Sequence, residues 1–109
     1  MKTTIGEYIK TLRTEKGLTL TQLGAQLGID SGALSKVENG KKKLDEKALP
    51  KLAEAFKLDL NKLRDEYFSE VIAYEIYENK CSENVLTLAE EKVKYIRNKN
   101  TKQGNLGFN

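Results

Sequence analysis

The fold is decided by residues 20–39, which read LTQLGAQLGIDSGALSKVEN. The first half predicts a helix of about two turns, because Thr19 and Gln22 have the spacing of a capping box and Gly28 is a typical helix stop. Apolar residues recur within it at helical spacing, at Leu20, Leu23 and Leu27. The second half predicts another short helix, which Asp30 can cap and which ends near Asn39. The stretch therefore predicts two short helices joined by a tight turn.

The spacing of small and apolar residues across this turn is informative. Gly24 lies where the first helix must pass close to the second, and Gly28, four residues later, occupies a turn position that favours a positive φ. Leu34 follows six residues after Gly28, and Val37 three after that, both on the inward face of the second helix. This order of small, glycine and two apolar positions is typical of a helix-turn-helix.

The rest of the chain also has helical periodicity and almost no strand signal, so we expect an all-α fold. Apolar residues line one face of residues 5–16, and Gly17 ends that helix. Asp45 can cap a fourth helix with Pro50 near its first turn. A long helix should cover residues 60–79, and Ser82 can cap a sixth. The fold expected is five helices followed by a helical hairpin.

The composition argues against catalysis and metal binding. Among 109 residues there is no His and only one Cys, so the commonest general base and zinc ligand are missing and Cys81 has no partner for a disulfide within the chain. We therefore expect no enzyme activity, no metal site and no cofactor. No stretch is apolar enough to span a membrane, and the N-terminus lacks the apolar run of a secretory signal, so we expect a cytoplasmic protein.

The net charge of +3 is small, but its distribution is uneven. Residues 1–43 carry 8 basic and 4 acidic side chains, residues 44–79 carry 5 and 9, and residues 80–109 carry 6 and 3. A basic loop, Lys41 to Lys43, follows directly after the second helix of the helix-turn-helix. A basic head of this kind favours contact with nucleic acid.

Residues 12–63 resemble the helix-turn-helix regulators of the XRE/Cro/lambdoid phage repressor family. The resemblance is carried by LRTEKGLT, QLGAQLGID, ALSKVENGKKK and LPKLAEAFKLDLNKL. It implies a five-helix lambda-repressor-like DNA-binding domain over residues 1–66, with its helix-turn-helix at 20–39. We expect a C-terminal helical dimerisation extension over residues 67–97 and a flexible tail over residues 98–109.

The resemblance also implies roles for single residues. In the family, the third helix enters the major groove of double-stranded DNA. By position, base contacts would come from Ser31, Gly32, Ala33, Ser35 and Lys36. Phosphate contacts would come from Thr19, Thr21, Asn39, Lys41, Lys42 and Lys43. Arg13 and Glu38 would form a structural ion pair between the first and third helices.

Two positions depart from the family pattern. Many members have Gln at the first residue of the second helix, where it reaches the DNA backbone, and this chain has Leu20 there. The third helix has no Arg, Gln or Asn among its leading residues, so bidentate base readout is scarce. We expect operator recognition to depend more on half-site spacing and DNA shape.

One short recognition helix makes few contacts, and the family usually binds palindromes as homodimers. The fifth helix has two apolar stripes where a core-facing helix needs one, and it is rich in aromatic residues. The expected dimer interface is Tyr67, Phe68, Val71, Ile72, Tyr74 and Ile76. Two alternatives stay open: helices five and six satisfy only each other, or the hairpin binds another protein.

The function expected is that of a homodimeric DNA-binding repressor or autoregulator, of bacterial or phage origin. Small members of the family also include controller proteins of restriction-modification systems and antitoxins of toxin-antitoxin pairs, and these alternatives stay open. A third alternative is a protein-interaction module that does not read DNA.

Overall fold

The protein is described by a computed structural model over residues 3–103, and every regular element in that range is a helix. The elements are α1 (Ile5–Glu15), α2 (Leu20–Leu27), α3 (Ser31–Glu38), a 3-10 turn (Glu46–Ala48), α4 (Leu49–Phe56), α5 (Leu60–Glu78) and α6 (Val85–Gln103). None of the helices in this range is both long and apolar enough to cross a membrane.

The local signals explain these bounds. Thr4 and Glu7 form a capping box at the start of α1. Pro50 lies in the first turn of α4, where its missing N–H leaves no helical hydrogen bond unmade. The 3-10 turn before α4 is capped by Asp45, whose carboxylate accepts from the N–H of Lys47 at 2.9 Å. The predicted cap is therefore present, one short turn ahead of the α-helix.

The chain divides into two compact units, Met1–Ala73 and Tyr74–Asn109. The division falls inside α5, whereas the sequence placed the domain boundary at residue 66. Because no Pro or Gly interrupts residues 60–78, the helix runs through the expected boundary.

The core of the first unit is built from one apolar cluster that α1 to α5 share. The most completely buried side chains in it are Ile9, Leu23, Leu34, Leu44, Leu49 and Leu52. Leu34 and Val37 point into it from α3, as their spacing predicted. Burial of these side chains is what holds helices of eight residues in place, since such short helices are marginal alone.

Two expectations about the C-terminal part are corrected. Ser82 does not cap α6: its hydroxyl accepts from the N–H of Asn84 at 3.3 Å, and this turn precedes a helix that begins at Val85. The helix also continues through the first half of the expected flexible tail, because residues 98–103 contain no Gly or Pro to stop it. Residues 104–109 lie outside the described residues.

Tyr67 belongs to the core and not to an exposed interface. It is 5% exposed, and its hydroxyl donates to the carbonyl of Leu44 at 2.5 Å. Burial raises the pKa of the phenol, and the nearby carboxylates of Glu46, Asp45 and Glu70 raise it further. The aromatic ring packs edge-on against Phe68 with ring centroids 5.1 Å apart. Tyr67 therefore anchors the loop after α3 and cannot contribute to a dimer contact.

Replacing Tyr67 with Phe should lower the free energy of unfolding by about 1 to 2 kcal/mol, because the buried carbonyl of Leu44 loses its donor. Urea unfolding followed by circular dichroism measures this difference. Tyr77→Phe is the matched control, since Tyr77 is 79% exposed. Equal effects of the two substitutions would contradict the anchoring role of Tyr67.

Candidate nucleic-acid interface

The helix-turn-helix begins with a complete capping box at α2. The N–H of Gln22 donates to the Thr19 hydroxyl at 3.0 Å, and the N–H of Thr19 donates to the Gln22 side-chain oxygen at 2.9 Å. Thr19 and Thr21 are both exposed. The Thr19 hydroxyl accepts within the box and keeps its own proton for a donor role. Leu20, the departure from the family pattern, packs against the core.

The turn between α2 and α3 depends on two glycines. Gly28 has a φ of 73°, and its left-handed conformation lets the N–H of Ile29 reach the Gly24 carbonyl at 2.9 Å. A Cβ on Gly24 would collide with the carbonyl oxygen of Ile29. Glycine is thus required at position 24 because a side chain would collide with the backbone, and it is favoured at position 28 because the backbone has a positive φ.

The start of α3 is fixed by Asp30. Its carboxylate accepts from the N–H of Ala33 at 3.0 Å, which satisfies one donor of the first turn. This hydrogen bond lowers the pKa of Asp30, and the positive charges of Lys42 and Lys36 lower it further.

The far end of α3 is fixed by a buried ion pair. The Arg13 guanidinium donates from Nε to Glu38 Oε2 at 2.8 Å and from Nη2 to Oε1 at 3.0 Å. Its remaining nitrogen, Nη1, donates to the Leu18 carbonyl at 2.9 Å. Hydrogen bonding to Glu38 raises the pKa of Arg13. The structure thus brings together the two residues that the resemblance paired, and adds the α1–α2 loop to their contact.

One face of α3 stays in solvent. Ser31, Gly32 and Lys36 are exposed, whereas Ala33 and Ser35 are half-buried. Asn39 is exposed and its amide nitrogen lies 3.5 Å from the Ser35 hydroxyl. Of the five residues predicted to contact bases, Ser31, Gly32 and Lys36 are therefore accessible. Ala33 and Ser35 lie at the edge of the exposed face.

The basic loop after α3 is exposed, but its lysines differ. Lys41, Lys42 and Lys43 all lie on the surface. The Lys43 ammonium lies 5.6 Å from the centre of the Tyr67 ring, a cation–π distance. Lys42, with Lys36, contributes to the lowered pKa of Asp30 at the start of α3.

A helix-turn-helix family model matches residues 9–63, which is half of the chain. The chain belongs to the XRE/Cro-type helix-turn-helix family of DNA-binding transcription regulators. The HTH-type transcriptional repressor RghR of Bacillus subtilis strain 168 is 34% identical to this chain over an alignment 105 positions long, and the match covers 84% of this chain and 78% of RghR.

Solved structures of other regulators are similar to this helix-turn-helix protein. The clp gene regulator ClgR from Corynebacterium glutamicum is 23% identical with a TM-score of 0.49, and the match covers 69% of this chain and 80% of ClgR. A chain of the SinR–SinI protein complex is 22% identical with a TM-score of 0.49, and the match covers 86% of this chain and 98% of that one.

Several contacts that support the helix-turn-helix were not anticipated from sequence. The N–H of Ile5 donates to the Glu70 carboxylate at 2.7 Å, which ties the start of α1 to α5. Lys16 closes the end of α4 by donating to the Ala55 carbonyl at 2.8 Å. Gly6 sits so close to the Val37 carbonyl that a Cβ there would collide with it. Of these contacts, only the one at Gly6 could have been suspected from the sequence, because a glycine inside an otherwise regular helix often marks a close approach of backbone.

Arg13→Lys should lower the free energy of unfolding by about 2 to 4 kcal/mol, because a lysine cannot serve both Glu38 oxygens and the Leu18 carbonyl at once. Chemical denaturation measures the loss. Arg64→Lys is the control: its Nη1 lies 3.8 Å from Glu46 Oε2, and both side chains are about half exposed. A comparable loss in both variants would refute the special role of the buried fork.

Gly24→Ala should lower the free energy of unfolding by about 1 to 3 kcal/mol, since the new methyl group forces α2 away from the Ile29 carbonyl. Gly32→Ala is the comparison within the same motif. A Cβ on Gly32 would lie 3.2 Å from a single side-chain atom, Asp30 Oδ1, so its effect should stay below about 1 kcal/mol. An unchanged midpoint for Gly24→Ala would show that the turn relaxes freely.

Proposed function

We propose that this regulator is a homodimeric repressor or autoregulator that places α3 in the major groove of a palindromic operator. The observation that supports this most is the exposed face of α3 on a helix fixed at both ends, by the Asp30 cap and by the Arg13–Glu38 fork. A rigid helix loses little conformational freedom when it enters a groove. Similarity to RghR, itself a transcriptional repressor, supports the choice of repression.

Within this proposal, Lys36 is the main base-reading side chain. It is exposed on α3 and can donate to guanine O6 or N7. Ser31 can donate to or accept from several bases, and Gly32 lets the backbone approach the groove closely. Ala33 and Ser35, being half-buried, would touch the groove wall or a thymine methyl group.

Phosphate contacts are proposed on both sides of α3. Thr19 and Thr21 present hydroxyl groups at the start of α2, where backbone N–H groups also point outward. Lys41, Lys42 and Asn39 would contact the backbone at the other side. Lys43 would also contact phosphate, either from its position over the Tyr67 ring or after moving away from that ring.

The homodimer is proposed because an eight-residue recognition helix covers too few base pairs for a unique site. Apolar side chains suited to an interface are available without Tyr67. Ile72 of the first unit is 50% exposed, as is Tyr74 of the second. Ile76 is half-buried, while Phe68 and Val71 pack partly against the core.

The alternative functions differ in the surfaces and partners that they require. A controller protein of a restriction-modification system would use the same DNA-binding surface, and an antitoxin would add a toxin bound through the C-terminal helices. A protein-interaction module would not need the exposed lysines of α3 and its following loop. We propose a cytoplasmic regulator without enzymatic activity, because the helix-turn-helix family acts by binding.

A gel-shift assay with the DNA upstream of the protein's own gene tests the proposal. We expect a shifted band at about 50 mM salt that weakens at about 200 mM, as phosphate contacts are screened. Light scattering at tens of micromolar should give the mass of a dimer. Failure to shift any upstream fragment at either salt concentration would overturn the DNA-binding function, and a monomer mass would overturn the dimer.

Lys36→Ala and Lys42→Ala should separate base reading from phosphate binding. Lys36→Ala should reduce discrimination between operator and unrelated DNA, by about 1 to 3 kcal/mol. Lys42→Ala should weaken binding to all DNA and lower the slope of log affinity against log salt by about 1. Lys80→Ala, outside residues 9–63 of the family match, is the control. Identical effects of the first two substitutions would refute this division of roles.

A further inference from the structure

The longest helix of the second unit, α6, buries no side chain over the residues whose burial is described, 85–101. Over residues 85–101 only Val85 and Asn100 are half-buried, and all others are exposed. The exposed side chains include large apolar ones: Leu86, Leu88, Val93, Tyr95 and Ile96. Helices in proteins owe most of their stability to packing of an apolar face. A helix of this kind therefore requires a partner surface.

The apolar residues of α6 mark one continuous seam. Leu86, Ala89, Val93 and Ile96 recur with spacings of three, four and three residues. This is the spacing of a two-helix seam. The other exposed pair, Leu88 and Tyr95, is interrupted by the charge of Lys92 between them. The seam is centred on residue 91, the midpoint between Leu86 and Ile96.

The charges of the same segment change sign at this midpoint. Residues 83–91 contain Glu83, Glu90 and Glu91 and no basic residue, whereas residues 92–102 contain five basic residues and no acidic one. The charged side chains are exposed from Glu83 to Lys99. Two such helices side by side in parallel would bring acidic half beside acidic half and basic half beside basic half. Two in antiparallel orientation would bring the acidic half of each beside the basic half of the other, with Glu83 opposite Lys99 and Glu90 opposite Lys92.

We propose that α6 pairs with α6 of a second copy of this chain, antiparallel about a two-fold axis near residue 91. The apolar seam and the change in the sign of the charge are both centred near residue 91, as they must be in an interface between two identical surfaces. The second copy is the occupant because α6 carries both halves of the complementary charge pattern. This inference rests on the proposed homodimer and adds to the α5 residues proposed for its interface a second contact, on α6, with a stated orientation.

The orientation makes a geometric prediction. In the antiparallel pair, Leu86 of one copy lies opposite Ile96 of the other. The two Leu86 residues are then about 15 Å apart, since ten helical residues span that length. A disulfide requires Cα atoms within about 7 Å. Parallel helices would instead place each Leu86 beside its own equivalent.

Charge exchange is the first test, with sedimentation velocity of the full chain as readout. One variant, Glu83→Lys, Glu90→Lys and Glu91→Lys, makes every charged side chain of residues 83–102 basic. A second, Lys94→Glu, Arg97→Glu and Lys99→Glu, makes it mainly acidic. We expect each alone to dimerise at least about tenfold more weakly than wild type at low salt, and the mixture to form a heterodimer. A chain with all six changes should dimerise again, since its two halves are exchanged but still complementary.

Cysteine crosslinking is the second test, in a Cys81→Ser background. Leu86→Cys alone should not form a crosslinked dimer under mild oxidation, whereas an equimolar mixture of Leu86→Cys and Ile96→Cys chains should. A crosslinked Leu86→Cys homodimer would overturn the antiparallel orientation. Circular dichroism melting of each variant checks that the first unit stays folded.

The outcomes separate this inference from the proposed function. A wild-type dimer whose charge variants self-associate normally would overturn the α6 pairing and leave the homodimeric regulator intact. A wild-type monomer at tens of micromolar would overturn both, while the gel shift decides DNA binding independently. Association of α6 only with a different protein, in a chain that is monomeric by itself, would likewise contradict the second copy as its partner.

Discussion

The helix-turn-helix depends on the ion pair between Arg13 and Glu38. Glu38 is 5% exposed, so its carboxylate has lost nearly all contact with water and must be compensated by the two guanidinium hydrogen bonds. The third guanidinium contact holds the Leu18 carbonyl in the loop before α2. One side chain of α1 therefore sets the position of α3 and of the segment that leads into α2.

Close backbone packing completes what the ion pair begins. Gly6 allows α1 to approach the carbonyl of Val37, one residue before Glu38, and Gly24 allows α2 to approach the carbonyl of Ile29. At both places a helix meets backbone, which moves less readily than a side chain does. The orientation of α3 is consequently determined by a salt bridge and two glycine contacts, and the leucines of the core supply the stabilising burial.

Local and long-range features differ in how far the sequence predicts them. The capping box at Thr19, the turn at Gly28 and the cap at Asp30 are set by neighbouring residues, so spacing alone located α2 and α3. The contact between Ile5 and Glu70 joins residues 65 positions apart, and no local pattern could indicate it. Tyr67 was assigned to an interface because α5 is rich in aromatic residues, yet its hydroxyl reaches the Leu44 carbonyl in the core. Amphipathic spacing identifies a buried face but not the surface that buries it.

The distribution of burial separates folding from assembly. All members of the buried core, among the described residues, lie between Ile5 and Tyr67. The DNA-binding unit therefore does not need the C-terminal unit for its own core. In the proposed homodimer, the apolar seam of α6 would contribute stability only when the second copy covers it, so its helix should form together with the dimer. Protein concentration would then control operator occupancy through dimerisation, while the geometry of α3 stays constant. A regulator of its own gene would then respond to its own concentration more steeply than a monomer could, because two folded units must meet before either palindromic half-site is held firmly.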